Sequence, residues 1–273
     1  MLESGKRAMQ WRPAVFLSLY LLLLAGGEAG SATLAQATSS TAVLVGAGDI
    51  ANCAEGQSEQ TARLLDNIPG TDFTAGDNAY SHGTAQEFVE CYGLTWGRHR
   101  ARTRPAPGNH DYESPQAAPY FKYFGANAGP PGRGFYSYDV GSWHVVSLNS
   151  NRNAESWGAA QEEWLHADLQ ANRSDCIAAY WHHPRFSSGS EYGDHAYMNA
   201  LYKILYESGV SLLISGHDHI YERFAPQDPN GKADSRGVRQ FIVGTPAGRG
   251  SIRSARSKPT TKRVTRPPTV CSS

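Results

Sequence analysis

The chain has 273 residues, with 25 Lys and Arg against 25 Asp and Glu, so its formal net charge is zero. Hydrophobic residues make up 40% and charged residues 18%, which excludes a disordered chain and suits one large folded domain or two small ones. The neutral total hides three unlike pieces.

Residues 1–37 come first. Lys6, Arg7 and Arg12 precede an apolar run from Ala14 to Ala25, which Gly26-Gly27 ends. The run is too short for a bilayer, which takes about 20 residues. A basic start, a short apolar stretch and then small residues predict a secretory signal peptide, cut after Ala35-Gln36-Ala37 or earlier near Ala29. An uncleaved N-terminal anchor is the alternative. The protein is expected to be secreted, with no stable membrane span.

The body, 38–250, is expected to be one domain. Thr41 to Val45 reads as a strand delivering Gly46-Ala47-Gly48-Asp49, and 57–67 as a helix stopped by Pro69-Gly70. Asp72 to Ala75 is a weak strand before Gly76-Asp77-Asn78-Ala79-Tyr80, and a helix around 84–92 leads on to Pro107-Gly108-Asn109-His110-Asp111. After a Gly/Pro-rich loop (125–134), 135–140 and 143–148 read as a hairpin across Gly141-Ser142. A helix over 160–171 and a strand over 176–181 lead to His182-His183-Pro184. A helix over 196–208 and a strand over 210–214 lead to Gly216-His217-Asp218-His219. The strand 239–243 comes last. This alternation predicts a layered α/β body with its strand ends gathered on one edge.

The last piece, 251–273, carries six basic residues, no acidic ones and few aliphatics, so it reads as a disordered basic tail. Of the 25 basic and 25 acidic residues, the leader takes three and two and the tail six and none. The body keeps 16 against 23. An acidic body repels polyanions, which argues against nucleic acid as its partner. Cysteines stand at 53, 91, 176 and 271. Export permits disulfides, and Cys53 with Cys91 is the favoured pair, leaving Cys271 free in the tail.

Polar groups collect where the strands stop: Asp49, Asp77 with Tyr80, Asn109-His110, His182, and His217 with His219. Glycine precedes four of these groups, at 48, 76, 108 and 216, and is expected to supply sharp backbone turns. His217 and His219, two apart, would share one side of an extended segment. Taken singly, an Asp after Gly is a turn residue and a lone His is structural, as we read His82, His99, His144 and His166. Five strand ends with metal-ligand chemistry in one body point to a metal site. Either His182 or His183 could serve at the fourth.

The series GD (48–49), GDNAY (76–80), GNHD (108–111), the His-x-Pro of HHP (182–184) and GHDHIYER (216–223) resembles that of the calcineurin-like metallophosphoesterases, most of all the purple acid phosphatases. The resemblance runs from about 41 to 246. It implies a ββ sandwich flanked by helices and a two-metal centre. One metal would take Asp49, Asp77, Tyr80 and His219; the other would take Asp77, Asn109, His182 and His217, with Asp77 bridging through its two oxygens. The family's His-x-Pro spacing selects His182 over His183. Many members carry His two residues after the first Asp, where this chain has Ala51; Tyr80 stands in, and a phenolate favours iron(III). The second ion would be divalent iron, zinc or manganese.

By the same resemblance, His110 would bind phosphate or protonate the leaving group, with Asp111 orienting its ring and His195 on the substrate side. The implied activity is hydrolysis of small phosphomonoesters by attack of a metal-bound hydroxide. The alternatives are a phosphodiesterase or nucleotidase using the same site, or an inactive secreted protein. That last reading rests on the C-terminus, where the family continues with sheet-completing strands. Here the chain passes into its basic tail after about 247, as a truncation or shifted frame would make it, leaving the sandwich incomplete.

Overall fold

The computed structural model describes residues 42–54, 57–154, 157–172 and 174–244. The expected leader, the basic tail, everything after about 247 and Cys271 lie outside the described residues.

The elements in chain order are β1 (Leu44–Ala47), β2 (Ala51–Asn52), α1 (Gln57–Asp66), β3 (Thr71–Ala75), β4 (Ala79–Tyr80), α2 (Ala85–Glu87), β5 (Thr103–Ala106) and α3 (Ala118–Phe124). They continue with β6 (Tyr136–Val140), β7 (Trp143–Ser147), α4 (Ala159–Ala171), β8 (Cys176–Trp181), α5 (Asn199–Glu207), β9 (Leu212–Ser215), β10 (Tyr221–Arg223) and β11 (Arg239–Val243). The π-helical turn Phe88–Tyr92 extends α2, and a 3₁₀ segment, Trp96–Arg102, precedes β5.

Two sheets form, in the orders β1-β3-β5 and β10-β11-β9-β8-β7-β6, with β2 and β4 pairing apart from both. They face each other through Phe73, Ala75 and Ala106 from the smaller sheet and Val145 and Tyr180 from the larger. The outer face of the larger sheet offers Val146, Ala179, Trp181, Leu213 and Ile242 to Leu165 and Leu169 of α4 and to Leu201, Tyr202 and Leu205 of α5. Those helical residues recur at three- and four-residue steps, which gives each helix one apolar face. On the other outer face, Ala62 and Leu65 of α1 join Phe88, Tyr92, Trp96, Tyr120 and Phe124. The result is a ββ sandwich with helices on both sides, as the motif resemblance implied.

The burial pattern explains why β8 was legible: all six of its residues are buried, because it lies mid-sheet under α4 and α5 and over the smaller sheet. β5 was not foreseen, since Pro105 cannot donate to a ladder; the strand survives at the edge of its sheet, where that donor is not needed. Cys53 and Cys91 are bridged, with Cα atoms 4.8 Å apart, and among the described residues no cysteine is free. β1, β3 and β5 run parallel, as do β7, β8, β9 and β11. Their C-terminal ends meet on one rim, joined where Gly48 N donates to Val243 O at 3.1 Å.

Candidate metal centre

Five of these seven parallel strands deliver a candidate metal-binding group to that rim. Asp49 follows β1, Asp77 follows β3, Asn109 follows β5, His182 follows β8 directly, and His217 follows β9. Asp49, Asp77 and His217 have φ of 61°, 51° and 70°, so the left-handed turn falls on the functional residues themselves. Of the four preceding glycines only Gly76 shares that region, at 84°. The others provide room: a Cβ on Gly108 would sit 2.1 Å from Asp77 N, and one on Gly216 would sit 2.6 Å from Ala75 O. The expected sharp turn holds at Gly76 and gives way to close packing at the other three. Left-handed Asp and His cost strain that surrounding contacts must hold, a pattern typical of functional sites.

The polar atoms fall into two sets. In the first, the Tyr80 hydroxyl lies 2.8 Å from Asp49 Oδ1, 2.9 Å from Asp77 Oδ2 and 3.3 Å from His219 Nε2. In the second, His182 Nε2 lies 3.0 Å from Asn109 Oδ1, 3.2 Å from His217 Nδ1 and 3.2 Å from Asp77 Oδ2. Asp77 joins both sets through Oδ2 alone. Its Oδ1 accepts from His110 N at 2.9 Å.

The ring of His182 is fixed from behind, with Nδ1 2.8 Å from Ala75 O, which leaves Nε2 aimed into the cluster. His183 instead places Nδ1 2.8 Å from Ser150 Oγ. Both histidines form potential ligand triples, His182 with Asp49 and Asp77, and the pair with His217. Only His182 reaches Asp77 and Asn109. His217 and His219 do not share one side of an extended stretch, because the backbone turns at His217; one ring serves each set.

This donor set fits metal ions. The Tyr80 hydroxyl has one proton for the two carboxylate oxygens that face it, Asp49 Oδ1 and Asp77 Oδ2, and His182 Nε2 has at most one for Asn109 Oδ1, Asp77 Oδ2 and His217 Nδ1. Burial, then Asp49 and Asp77, push the Tyr80 phenol well above its usual pKa. Burial also raises Asp77, but His182 outweighs it and the carboxyl ends well below its usual range. Burial lowers His182 while Asp77 more than offsets this, placing it at about 9. His217 is driven down by burial and by His182. Cations at the two sets would supply the charge these groups lack.

Three further expectations resolve differently. His110 sits beside Tyr80, ring centroids 4.5 Å apart, with Nδ1 2.5 Å from Ser81 O and Nε2 3.9 Å from Asp77 Oδ2. Asp111 does not orient that ring. Fully buried, it accepts from Gly108 N at 2.8 Å, Asn78 N at 3.1 Å and Asn78 Nδ2 at 2.9 Å, which ties the 108–111 turn to the end of β3. Burial and Asp77 raise its pKa to about 7. His195 does join the cluster, its ring 5.0 Å from His217 and 5.1 Å from His183, with Nε2 buried and unpartnered. Burial and His182 lower it to about 4. Sequence reasoning missed Asn149, Ser150 and Asn151 after β7; Asn151 Nδ2 donates to Pro107 O at 3.1 Å and braces the turn before Asn109. It also gave no role to Asp218 and Glu222, although both lie inside a motif it singled out.

Comparison with known proteins agrees with this geometry. The profile of the family described as "Calcineurin-like phosphoesterase" matches residues 43–221. Purple acid phosphatase 21 of Arabidopsis thaliana is 32% identical over 225 residues, covering 75% of this chain and 51% of that protein. Among solved structures, purple acid phosphatase PPD1 from yellow lupin (Lupinus luteus) seeds superposes with a TM-score of 0.59 at 18% identity, over 81% of this chain and 46% of that one. GAP50, described as the anchor in the inner membrane complex of Plasmodium, gives 0.60 at 15% identity, over 80% and 76%. These two structures show a shared fold. The chain spans about half the length of both purple acid phosphatases. Since the profile runs through every strand end from Asp49 to His219, the chain belongs to the calcineurin-like phosphoesterase family.

Proposed function

We propose that the chain is a two-metal phosphatase acting on phosphomonoesters. The observation that carries this reading is the pair of donor sets meeting at Asp77 Oδ2. Asp49, Tyr80 and His219 would hold one ion with Asp77, and Asn109, His182 and His217 the other. The phenolate suits iron(III), and imidazole with amide suits divalent iron, zinc or manganese. Two bound cations supply charge neutralisation to a phosphoryl group and a lowered pKa to attacking water.

The remaining work belongs to the chain. Ser81 O holds the Nδ1 proton of His110, so a protonated His110 donates from Nε2, on the partly exposed side of its ring, to the departing oxygen. His195, with Nε2 free of protein partners, contributes a hydrogen bond to a phosphoryl oxygen. Asp111 and Asn151 keep Asn109 and His110 in place from either side of the turn. We further propose export, directed by residues 1–37; the Cys53–Cys91 bridge supports an oxidising compartment.

Turnover of a phenol's phosphate monoester against its diester, with and without chelator, tests the function. Chelator-sensitive hydrolysis of the monoester in preference is expected. Preference for the diester, or turnover indifferent to chelator, would overturn the assignment.

A further inference from the structure

The loop 187–194 is pinned at both arms. Ser187 Oγ donates to Asp218 Oδ2 and Ser188 Oγ to Glu222 Oε1. Ser188 N donates to Glu222 Oε2 at 2.9 Å, and Ser187 N to Asp194 Oδ1 at 2.7 Å. A Cβ on Gly189 would lie 2.9 Å from the Asp218 carboxylate, so this backbone is pressed against that group. Asp218 and Glu222 thus tie the loop to the segment that carries His217 and His219.

What the loop presents is Tyr192. Its ring centroid is 4.3 Å from that of His217, tilted by 37°, and the residue is 49% exposed. A flexible surface tyrosine would carry no message, because single exposed apolar residues are ordinary. This one is held by polar anchors on a neighbouring stretch of six residues, directly beside a residue of the second donor set. An aromatic ring held beside the donor set, with part of its surface exposed, offers a flat partner contact area at little entropic cost.

We propose that Tyr192 is a specificity-determining residue that stacks on an aromatic ring in the alcohol part of the substrate, so that the site favours aryl-bearing phosphate monoesters over aliphatic ones. This rests on the phosphatase reading for its substrate class, and on the geometry of the loop for its residue. Offset or tilted contact between rings discriminates by about two- to twelvefold.

The test compares benzyl phosphate with butyl phosphate, whose leaving groups are both primary alcohols, in wild type, Tyr192→Ala and Tyr192→Phe. Calorimetric binding of benzylphosphonate and butylphosphonate forms a second arm that needs no turnover. The kcat/KM ratio of benzyl to butyl ester is expected to fall about two- to twelvefold in Tyr192→Ala and to persist in Tyr192→Phe, with the binding ratio moving in parallel. An unchanged ratio overturns the inference, as does an equal loss for both compounds, which would make Tyr192 only a support for His217. Wild type that binds both phosphonates alike overturns it too. A protein that hydrolyses neither ester yet prefers benzylphosphonate through Tyr192 would sink the phosphatase reading and keep the stacking role.

Discussion

Two gatherings of imidazoles and carboxylates among the described residues, around His144 and around Asp77, close differently. His144 places Nδ1 2.8 Å from Asp139 Oδ1 and Nε2 2.9 Å from Asp168 Oδ2, while Ser137 Oγ donates to Asp168 Oδ1 at 2.6 Å. Every proton there has one acceptor, and the group locks the β6–β7 hairpin to α4. Around Asp77, one phenol faces two carboxylates and His182 Nε2 faces His217 Nδ1. The first cluster is complete as a set of ion pairs, whereas the second holds more lone pairs than protons. Residue types alone do not separate a structural triad from a metal centre; the count of protons against acceptors does.

Breaking the second cluster has the largest expected effect. Asp77→Asn removes the one carboxylate common to both sets and should lower phosphatase kcat/KM by ~10³-fold or more, with loss of bound metal. Activity within tenfold of wild type would mean that the two sets do not act together.

Two adjacent residues sharpen the contrast between chemistry and support. His110→Ala should reduce kcat by about 10²-fold while metal content and melting temperature hold. Asp111→Asn should act in the opposite sense, destabilising by about 1–3 kcal/mol, because the amide keeps one acceptor oxygen and turns an NH2 donor against the buried N–H groups of Gly108 or Asn78. Thermal unfolding beside single-substrate kinetics reads both, and a reversed pattern would exchange their roles.

The smallest effect belongs to the closed triad. The Asp168 hydrogen bond, opposed by burial and helped by Asp139, raises His144 above its usual 6.5. A raised pKa stabilises the fold fully below the unfolded value and ceases to do so as pH climbs through the folded one. The melting-temperature gap between wild type and His144→Gln should therefore be widest near about pH 6 and narrow towards about pH 9. A gap independent of pH would show that His144 contributes only packing.

Much of this was legible in the sequence because strand ends carry their own punctuation. Each of Asp49, Asp77, Asn109 and His217 follows a glycine, and each does reach the rim. The reason for those glycines was not legible, since it depends on strands far apart in sequence: Gly108 abuts Asp77, and Gly216 abuts Ala75. Asp111 looked like a partner for His110 by adjacency, but the turn points its carboxylate inward to Asn78. Ala51, where the motif resemblance implies a His in many members, is buried in the β2–β4 pairing opposite Ala79 and offers no donor, which leaves Tyr80 to complete the first set. Tyr192 gave no signal at all, because its position depends on clasps made by Asp218 and Glu222 more than 25 residues on.

The central claim is that the rim holds two metal ions sharing Asp77. Metal content per folded chain, measured on wild type and on Asp77→Asn after exhaustive buffer exchange, tests it most directly. The account predicts two ions per wild-type chain and loss of both in the variant. A folded, active wild type with no bound metal, or a variant that keeps both ions, would contradict it.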